Sequence, residues 1–156
     1  MEINLQNLDN KGLSTMEWRN KIEALENALL NCDDPRIVKG NSDTFPLKHS
    51  FADGIYNREI LVRAGGFVIG KIHKYDHTWF LMQGEIMVSG EDGVEYFTAP
   101  YYGVAKAGTK RVVYAIEDCI FVNVHPNINN NTNIEELENE YVCDSYDLYE
   151  KFKLLK

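Results

Sequence analysis

Short runs of alternating apolar and polar residues fill the middle of the chain from Ile55 onward. Alternation with a period of two puts every second side chain on the same face, which is the pattern of half-buried β-strands. The breaks between the runs are mostly rich in glycine, which is typical of tight turns. The runs are 55–63, 67–73, 78–82, 85–89, 94–99, 103–105, 111–116 and 119–125. About eight short strands without a helix between them predict a sandwich or barrel of the jelly-roll kind.

The dipeptide Asp92-Gly93 lies between two of these runs. Glycine adopts, without steric cost, the positive φ that tight hairpin turns require. The dipeptide therefore predicts a β-hairpin that joins 85–89 to 94–99.

An amphipathic helix is predicted over 15–31. Ser14 with Glu17 has the form of a capping box, in which each side chain accepts a hydrogen bond from a backbone N–H of the first turn. Pro35 marks the end of the segment. An apolar stripe at helical spacing is formed by Trp18, Ile22, Leu25 and Leu29. Two interpretations are open: the stripe packs on the barrel of its own chain, or it forms oligomer contacts with another subunit.

Two short helices are predicted near the carboxyl end. Thr132 with Glu135 repeats the capping-box form. The apolar face that follows consists of Ile134, Leu137 and Tyr141. A last helix begins at Ser145, and Tyr149, Phe152 and Leu155 lie on one side of it. We expect this apolar segment to dock, and Phe152 and Leu155 are candidate oligomer contacts.

The pattern divides the chain into three parts: an N-terminal arm at 1–46, a β-barrel at 47–126 and a C-terminal helical arm at 127–156. Within the first part, 1–13 is polar and is expected to order only against something else. The segment 36–54 is expected to be a long connection.

Composition narrows the function. The length of 156 residues is that of one domain, and the formal net charge of −8 argues against binding to nucleic acid or to an anionic membrane. We find no apolar run long enough for a membrane span and no signal peptide at the start. Cys32, Cys119 and Cys143 are odd in number and lack metal-type spacing, which favours reduced, buried thiols.

His73 and His77 lie between two predicted strands and are the leading site candidates. A catalytic metal needs about three protein ligands of imidazole or carboxylate type. Asp76 or Glu85 is a candidate third ligand, although strand alternation forces neither inward. Three interpretations stay open: metal ligands, hydrogen-bonding pocket residues, or proton-transfer groups.

The region 47–126 resembles the cupin superfamily. Gly70, His73 and His77, followed by an apolar strand that ends at Gly84, are similar to the first cupin motif, and 106–111 is similar to the second. The resemblance implies an all-β, cupin-type double-stranded β-helix (jelly-roll) barrel, here with an N-terminal helix and short C-terminal helices. It also implies a divalent metal site.

More narrowly, the chain resembles small cupin-domain proteins of tailed bacteriophages. The shared segments are 54–60, 70–74, 91–94, 99–101, 107–111, 117–118, 125–126, 135–140 and 145–147. This resemblance implies a setting in the host cytoplasm or the virion, without secretion by a signal peptide. It implies no particular reaction.

The cupin ligand set is depleted in this sequence. The resemblance puts His77 where the family has glutamate, and His73 on the second histidine of the first motif. Lys71 falls on the first histidine and Arg111 on the histidine of the second motif, and a charged lysine or arginine is not a metal ligand. We therefore expect no cofactor, with a divalent metal at His73 and His77 as the alternative.

A basic and aromatic pocket is the second site hypothesis. Its candidate members are Lys71, Lys106, Lys110, Arg111, Tyr75, Trp79 and Tyr114. Such a pocket suits an anionic or carbohydrate-like group through charge-assisted hydrogen bonds and stacking. The alternative is that the charges are solvated and the aromatic rings belong to the core. His125 is interpreted as a capping or turn residue.

These observations favour a non-catalytic phage protein, an oligomeric accessory or virion-associated structural module whose arms make subunit contacts. Its expected partners are copies of itself and other phage structural proteins. One alternative is a metal-dependent or acid–base enzyme acting on a small sugar-like or anionic substrate through His73, His77 and Arg111. Another is a small-ligand-binding module in phage–host conflict.

Overall fold

The computed structural model describes residues 5–156, without the side chains of residues 6 and 7. A 3₁₀ turn at Leu5–Leu8 precedes three helices: α1 (Thr15–Leu30), α2 (Ile134–Tyr141) and α3 (Tyr146–Leu154). The strands are β1 (Leu47–Ala52), β2 (Gly54–Val62), β3 (Phe67–Ile69), β4 (Ile72–His73), β5 (His77–Gln83), β6 (Glu85–Gly90), β7 (Gly93–Thr98), β8 (Tyr101–Ala105), β9 (Val112–Ala115), β10 (Cys119–Asn127) and β11 (Val142–Cys143).

Two antiparallel sheets form the barrel. One has the order β1-β2-β10-β5-β8 and the other β3-β9-β6-β7. Side chains from both sheets meet in one buried cluster between them, with Leu81 from the first and Ile86 from the second at 0% exposure. The predicted all-β jelly-roll barrel, with helices at both ends, is thus confirmed.

The predicted strands are close to the observed ones, with two corrections. Strand β1 lies inside the segment predicted as a connection, where it pairs with β2. The run 67–73 is broken at Gly70, whose N–H donates to Arg111 O at 2.9 Å, so β3 and β4 join different sheets. The predicted hairpin is present as β6–β7, with Gly93 at φ +115°.

Helix α1 lies against the outer face of the four-stranded sheet. Its capping box at Ser14 and Glu17 is formed as predicted. Trp18, Ile22 and Leu29 are at most 2% exposed and pack with strand and α3 residues of the same chain. This is the first of the two alternatives, and the prediction that these three residues contact another subunit is corrected because one copy already covers them. Leu25 is half-buried against the same cluster.

The N-terminal arm, from Leu5 on, is ordered against the chain's own hairpin. Leu8 is 2% exposed, and its carbonyl accepts a hydrogen bond from the Ser89 hydroxyl. The Asn10 side chain donates to Gly90 O at 3.0 Å. Residues 1–4, which the predictions for the arm and the signal peptide include, lie outside the described part.

The C-terminal arm returns to the barrel. Helix α2 is capped by Asn133, which accepts from the Glu136 N–H, and not by Thr132 as predicted. Helix α3 is capped by Ser145, as predicted. Phe152 is half-buried and Leu155 is 88% exposed, so the predicted contact role of Leu155 stays a prediction. Across residues 5–156 no helix combines the length and the apolar character that spanning a bilayer requires.

Candidate functional site

The inner face of the five-stranded sheet changes from apolar to polar along β10. Because alternate residues share a face, β10 presents Phe121, Asn123 and His125 to the interior in turn. Asn123 lies opposite Trp79 of β5 and Arg58 of β2. All four histidines of the chain lie at this polar end: His49, His73, His77 and His125.

His73, His77 and His125 form a stacked group, called the histidine cluster below. The ring centroids of His73 and His77 are 3.9 Å apart, with 24° between the planes. His125 lies 5.4 Å from His73 and 5.0 Å from His77. His77 Nε2 bonds to Asn123 Oδ1 at 3.1 Å, whereas His73 Nδ1 is buried and has no hydrogen-bond partner among the described residues.

Helix α2 closes this end of the barrel. The ring of Tyr141 stacks on His125 at 4.8 Å and 16°, and its hydroxyl donates to Pro126 O. Leu137 is fully buried and packs in the same small cluster as Tyr56. The histidine cluster is therefore covered by the C-terminal arm.

Burial keeps these histidines neutral. It lowers the pKa of His73 to about 2, helped by the neighbouring His77 and His125. Burial likewise lowers the pKa of His125 to about 3. It also lowers the pKa of His77, against the opposing effect of the hydrogen bond that His77 Nε2 donates to Asn123 Oδ1. A general acid or base is most effective with a pKa near the working pH, so the cluster is poorly suited to proton transfer near neutrality.

The other side chains considered as metal ligands have partners of their own or lie away from the histidine cluster. Lys71, at one family ligand position, extends outward and pairs with Asp144 at 2.8 Å. Asp76 accepts bonds from Lys106 Nζ at 2.7 Å and from the Ala107 N–H at 2.8 Å. Glu85 lies beyond the opposite end of β5 from His77. No three His, Cys, Asp or Glu side chains in the described part are placed to hold a metal ion.

Only part of the predicted pocket faces the interior. Trp79 and Arg111 line a cavity inside the barrel, and His73 and His77 lie near it. Lys71 is exposed, and Tyr75 is 41% exposed with its ring against Phe152, so both predictions are corrected.

Three further candidates also lie elsewhere. Lys110 is buried outside the barrel in an ion pair with Glu26 at 2.8 Å, and Tyr114 packs on Phe67. Lys106 pairs with Asp76 at the surface. Arg111 is thus the one member of the predicted basic group that the structure leaves facing the cavity.

The Trp79–Arg111 cavity has a volume of about 180 Å³. Its walls carry four aromatic rings and two charged side chains, namely Trp79, Phe97, Tyr101, Phe121, Glu95 and Arg111. Neither Glu95 nor Arg111 forms an ion pair with another side chain of the described part. The site can therefore hold a small polar ligand with charged groups.

Sequence reasoning missed His125, Arg58 and Glu95. His125 has the same inward phase on β10 as Phe121, and that alternation could have placed it inside. Arg58 and Glu95 depend on which strands become neighbours, for which the sequence carries no local signal.

No protein-family model matches the sequence, and a search of curated proteins finds no match. Solved structures with a similar backbone are cupin superfamily proteins. One from Desulfitobacterium hafniense aligns over 57% of this chain and 83% of its own, at 10% identity and a TM-score of 0.48. An RmlC-like cupin from Shewanella frigidimarina aligns over 59% and 81%, at 11% identity and 0.48. The polyketide cyclase RemF from Streptomyces resistomycificus aligns over 57% and 70%, at 16% identity and 0.48. Likenesses this distant concern the fold and not the reaction.

Proposed function

We propose that this chain is a non-catalytic cupin-domain protein. The observation that carries the proposal is how the polar end of the barrel is filled and covered. Three stacked, neutral histidines fill it, helix α2 covers it, and Lys71 and Arg111 stand where the family resemblance expects ligands. Neither a metal-activated water nor a titrating base has a place in this arrangement.

The proposed setting is a tailed bacteriophage, in which the protein is an oligomeric accessory or virion-associated module in the host cytoplasm or the particle. The sequence resemblance described above supports this setting. The exposed apolar side chains of the C-terminal arm support a contact role, because Leu154 and Leu155 are 86% and 88% exposed. With α1 used inside the chain, the C-terminal arm is the part of the two arms that remains for subunit contacts.

Metal analysis tests the proposal against the metal-dependent enzyme. Protein purified without chelators is expected to contain well under one equivalent of Fe, Mn, Ni or Zn. About one equivalent that is lost in His73→Ala and kept in His49→Ala would contradict the proposal and revive the metal-dependent enzyme.

Two measurements test the assembly role. Light scattering is expected to show an oligomer that Leu155→Glu weakens, whereas Lys151→Glu on the same exposed arm leaves it unchanged. Mass spectrometry of purified virions is expected to detect the chain. A monomer in the first measurement would remove the oligomer, and repeated absence from virions would remove the virion role.

A second candidate function is small-ligand binding, and the Trp79–Arg111 cavity favours it. The cavity combines aromatic faces with charged groups that have no partner in the described part, which is an unfavourable arrangement unless water or a ligand satisfies it. Native mass spectrometry of freshly purified protein is expected to show a bound small molecule. The loss of that mass in Arg111→Gln would locate it.

A further inference from the structure

The Trp79–Arg111 cavity has opposite charges on two different strands. In the four-stranded sheet, Val113 of β9 pairs with Val88 of β6, and Val88 pairs with Glu95 of β7. Arg111 lies two residues before Val113, on the same inner face. The carboxylate and the guanidinium therefore face the cavity from β7 and from the start of β9, too far apart for an ion pair with each other.

Gly90 provides the path for the Arg111 side chain. A Cβ atom on Gly90 would lie 3.4 Å from Arg111 Cγ and 3.7 Å from Nε. The arginine stem thus lies against the glycine backbone on its way into the cavity. A larger residue at this position would have to share that space, so Gly90 helps to fix the cation.

Aromatic rings line the cavity next to these charges. Trp79 is 5.2 Å from Phe97, 5.3 Å from Tyr101 and 5.2 Å from Phe121, measured between ring centroids. The face of an aromatic ring attracts a cation, most strongly when the cation is a weakly hydrated ammonium. Glu95 and Tyr101 are exposed on one side, which gives a ligand access from solvent.

We propose that the cavity binds a small zwitterion, an ammonium carboxylate of the size of glycine betaine. Its carboxylate pairs with Arg111, and its ammonium group lies against the rings of Trp79 and Tyr101 near Glu95. The cavity volume of about 180 Å³ leaves room for a ligand of this size. This inference rests on the ligand-binding function proposed above.

Calorimetry with three probes of similar size tests the charge pattern. Glycine betaine has both charges, the tert-butylacetate anion replaces its ammonium by a neutral group of the same shape, and choline keeps only the cation. We expect the wild-type protein to bind betaine about tenfold or more tightly than either of the others, which corresponds to about 1.4 kcal/mol or more for each charge. Equal binding of betaine and tert-butylacetate would overturn the zwitterion and leave an anion site.

Variants assign each charge to its partner. Glu95→Gln is expected to remove most of the preference for betaine over tert-butylacetate, and Arg111→Gln the preference for betaine over choline. Glu117→Gln, an exposed carboxylate outside the cavity, is the matched control and should bind like the wild type. Unchanged preferences in both cavity variants would overturn the proposal.

Different results would contradict the ligand-binding function and the choice of a zwitterion as its ligand. If native mass spectrometry shows a bound molecule but none of the three probes binds, the ligand-binding function stands and the zwitterion is wrong. If no molecule is retained and no probe binds, both are wrong.

Discussion

The two polar regions of the barrel interior share strand β5, which carries His77 and Trp79, yet they are built in opposite ways. In the histidine cluster the rings stack on one another, and helix α2 covers them. In the Trp79–Arg111 cavity, Gly90 and Gly103 leave space, and two charged groups face it without a protein partner in the described part. The first region is covered by its own chain, although the buried Nδ1 atoms of His73 and His77 have no hydrogen-bond partner in the described part. The second is a space that water or a ligand can fill.

The histidine cluster, which the family resemblance indicates, is therefore distinct from the cavity that is proposed to bind a ligand. The family resemblance directs attention to His73 and His77, but their surroundings keep them neutral and covered. Arg111 stands at a family ligand position and, as a cation, changes what that position can hold.

Weakening the contact between α2 and the barrel should have the largest effect on the unfolding free energy. Leu137 is fully buried where α2 meets the barrel, so Leu137→Ala should cost about 2–5 kcal/mol of unfolding free energy through lost burial and a cavity. Leu148→Ala on α3, where the side chain is 48% exposed, is the control and should change it far less. Urea denaturation of both variants measures the difference. Equal losses would mean that α2 is not a specific cover.

A second prediction concerns the space that Gly103 leaves beside Trp79 in the Trp79–Arg111 cavity. A Cβ atom on Gly103 would lie 3.2 Å from Trp79 Nε1 and 3.3 Å from Cε2, tighter than ordinary contact. Gly103→Val should therefore shift the indole and cost about 1–3 kcal/mol. Val104→Thr on the outer face of the same strand is the control. Thermal unfolding gives the cost, and the emission of Trp79 reports the shift against the constant signal of buried Trp18.

Particular residues show how much of the fold and of the site the sequence predicts. Alternation and capping are local signals, so the barrel and the helices beside Ser14 and Ser145 could be predicted. Strand β1 could not, because its three polar residues are consecutive and break the alternation, and it becomes a strand only by pairing with β2. Lys71 and Tyr75 are predicted in the pocket but lie outside it, because the strand breaks at Gly70, and no period in the sequence reveals that break. The role of His125 depends on the register of β10 between two other strands.

Acid should distinguish the two regions by its effect on the histidine cluster. The pKa of His125 is about 3 in the folded chain and near 6.5 when unfolded, so the unfolded state binds the extra proton between these values. Stability is then fully present above about pH 6.5 and falls as the pH drops toward 3, by about 1.4 kcal/mol per pH unit for this one group. His125→Gln should reduce the slope of unfolding free energy against pH by about that amount between pH 4 and 6.

The control for the acid experiment is Lys151→Gln on α3, which removes an exposed positive charge but no group that titrates in this range. Its slope should stay close to that of the wild type. A slope that is unchanged in His125→Gln would mean that His125 takes up its proton without unfolding. The cluster would then be less tightly closed than its stacking indicates.

The smallest effect on the unfolding free energy is expected for Arg111→Gln. A small effect would indicate that Arg111 does not hold the barrel together. A buried cation with a carboxylate partner is costly to remove, because the partner is left unpaired. Arg111 has no such partner in the described part, so Arg111→Gln should change the unfolding free energy by less than about 0.5 kcal/mol. Lys110→Gln, which leaves Glu26 without its cation at 2.8 Å, is the contrasting variant and should cost several times more.

Urea titrations of the two variants compare the costs. Equal costs would show that Arg111 holds the barrel together, and it would then no longer be free to serve a ligand.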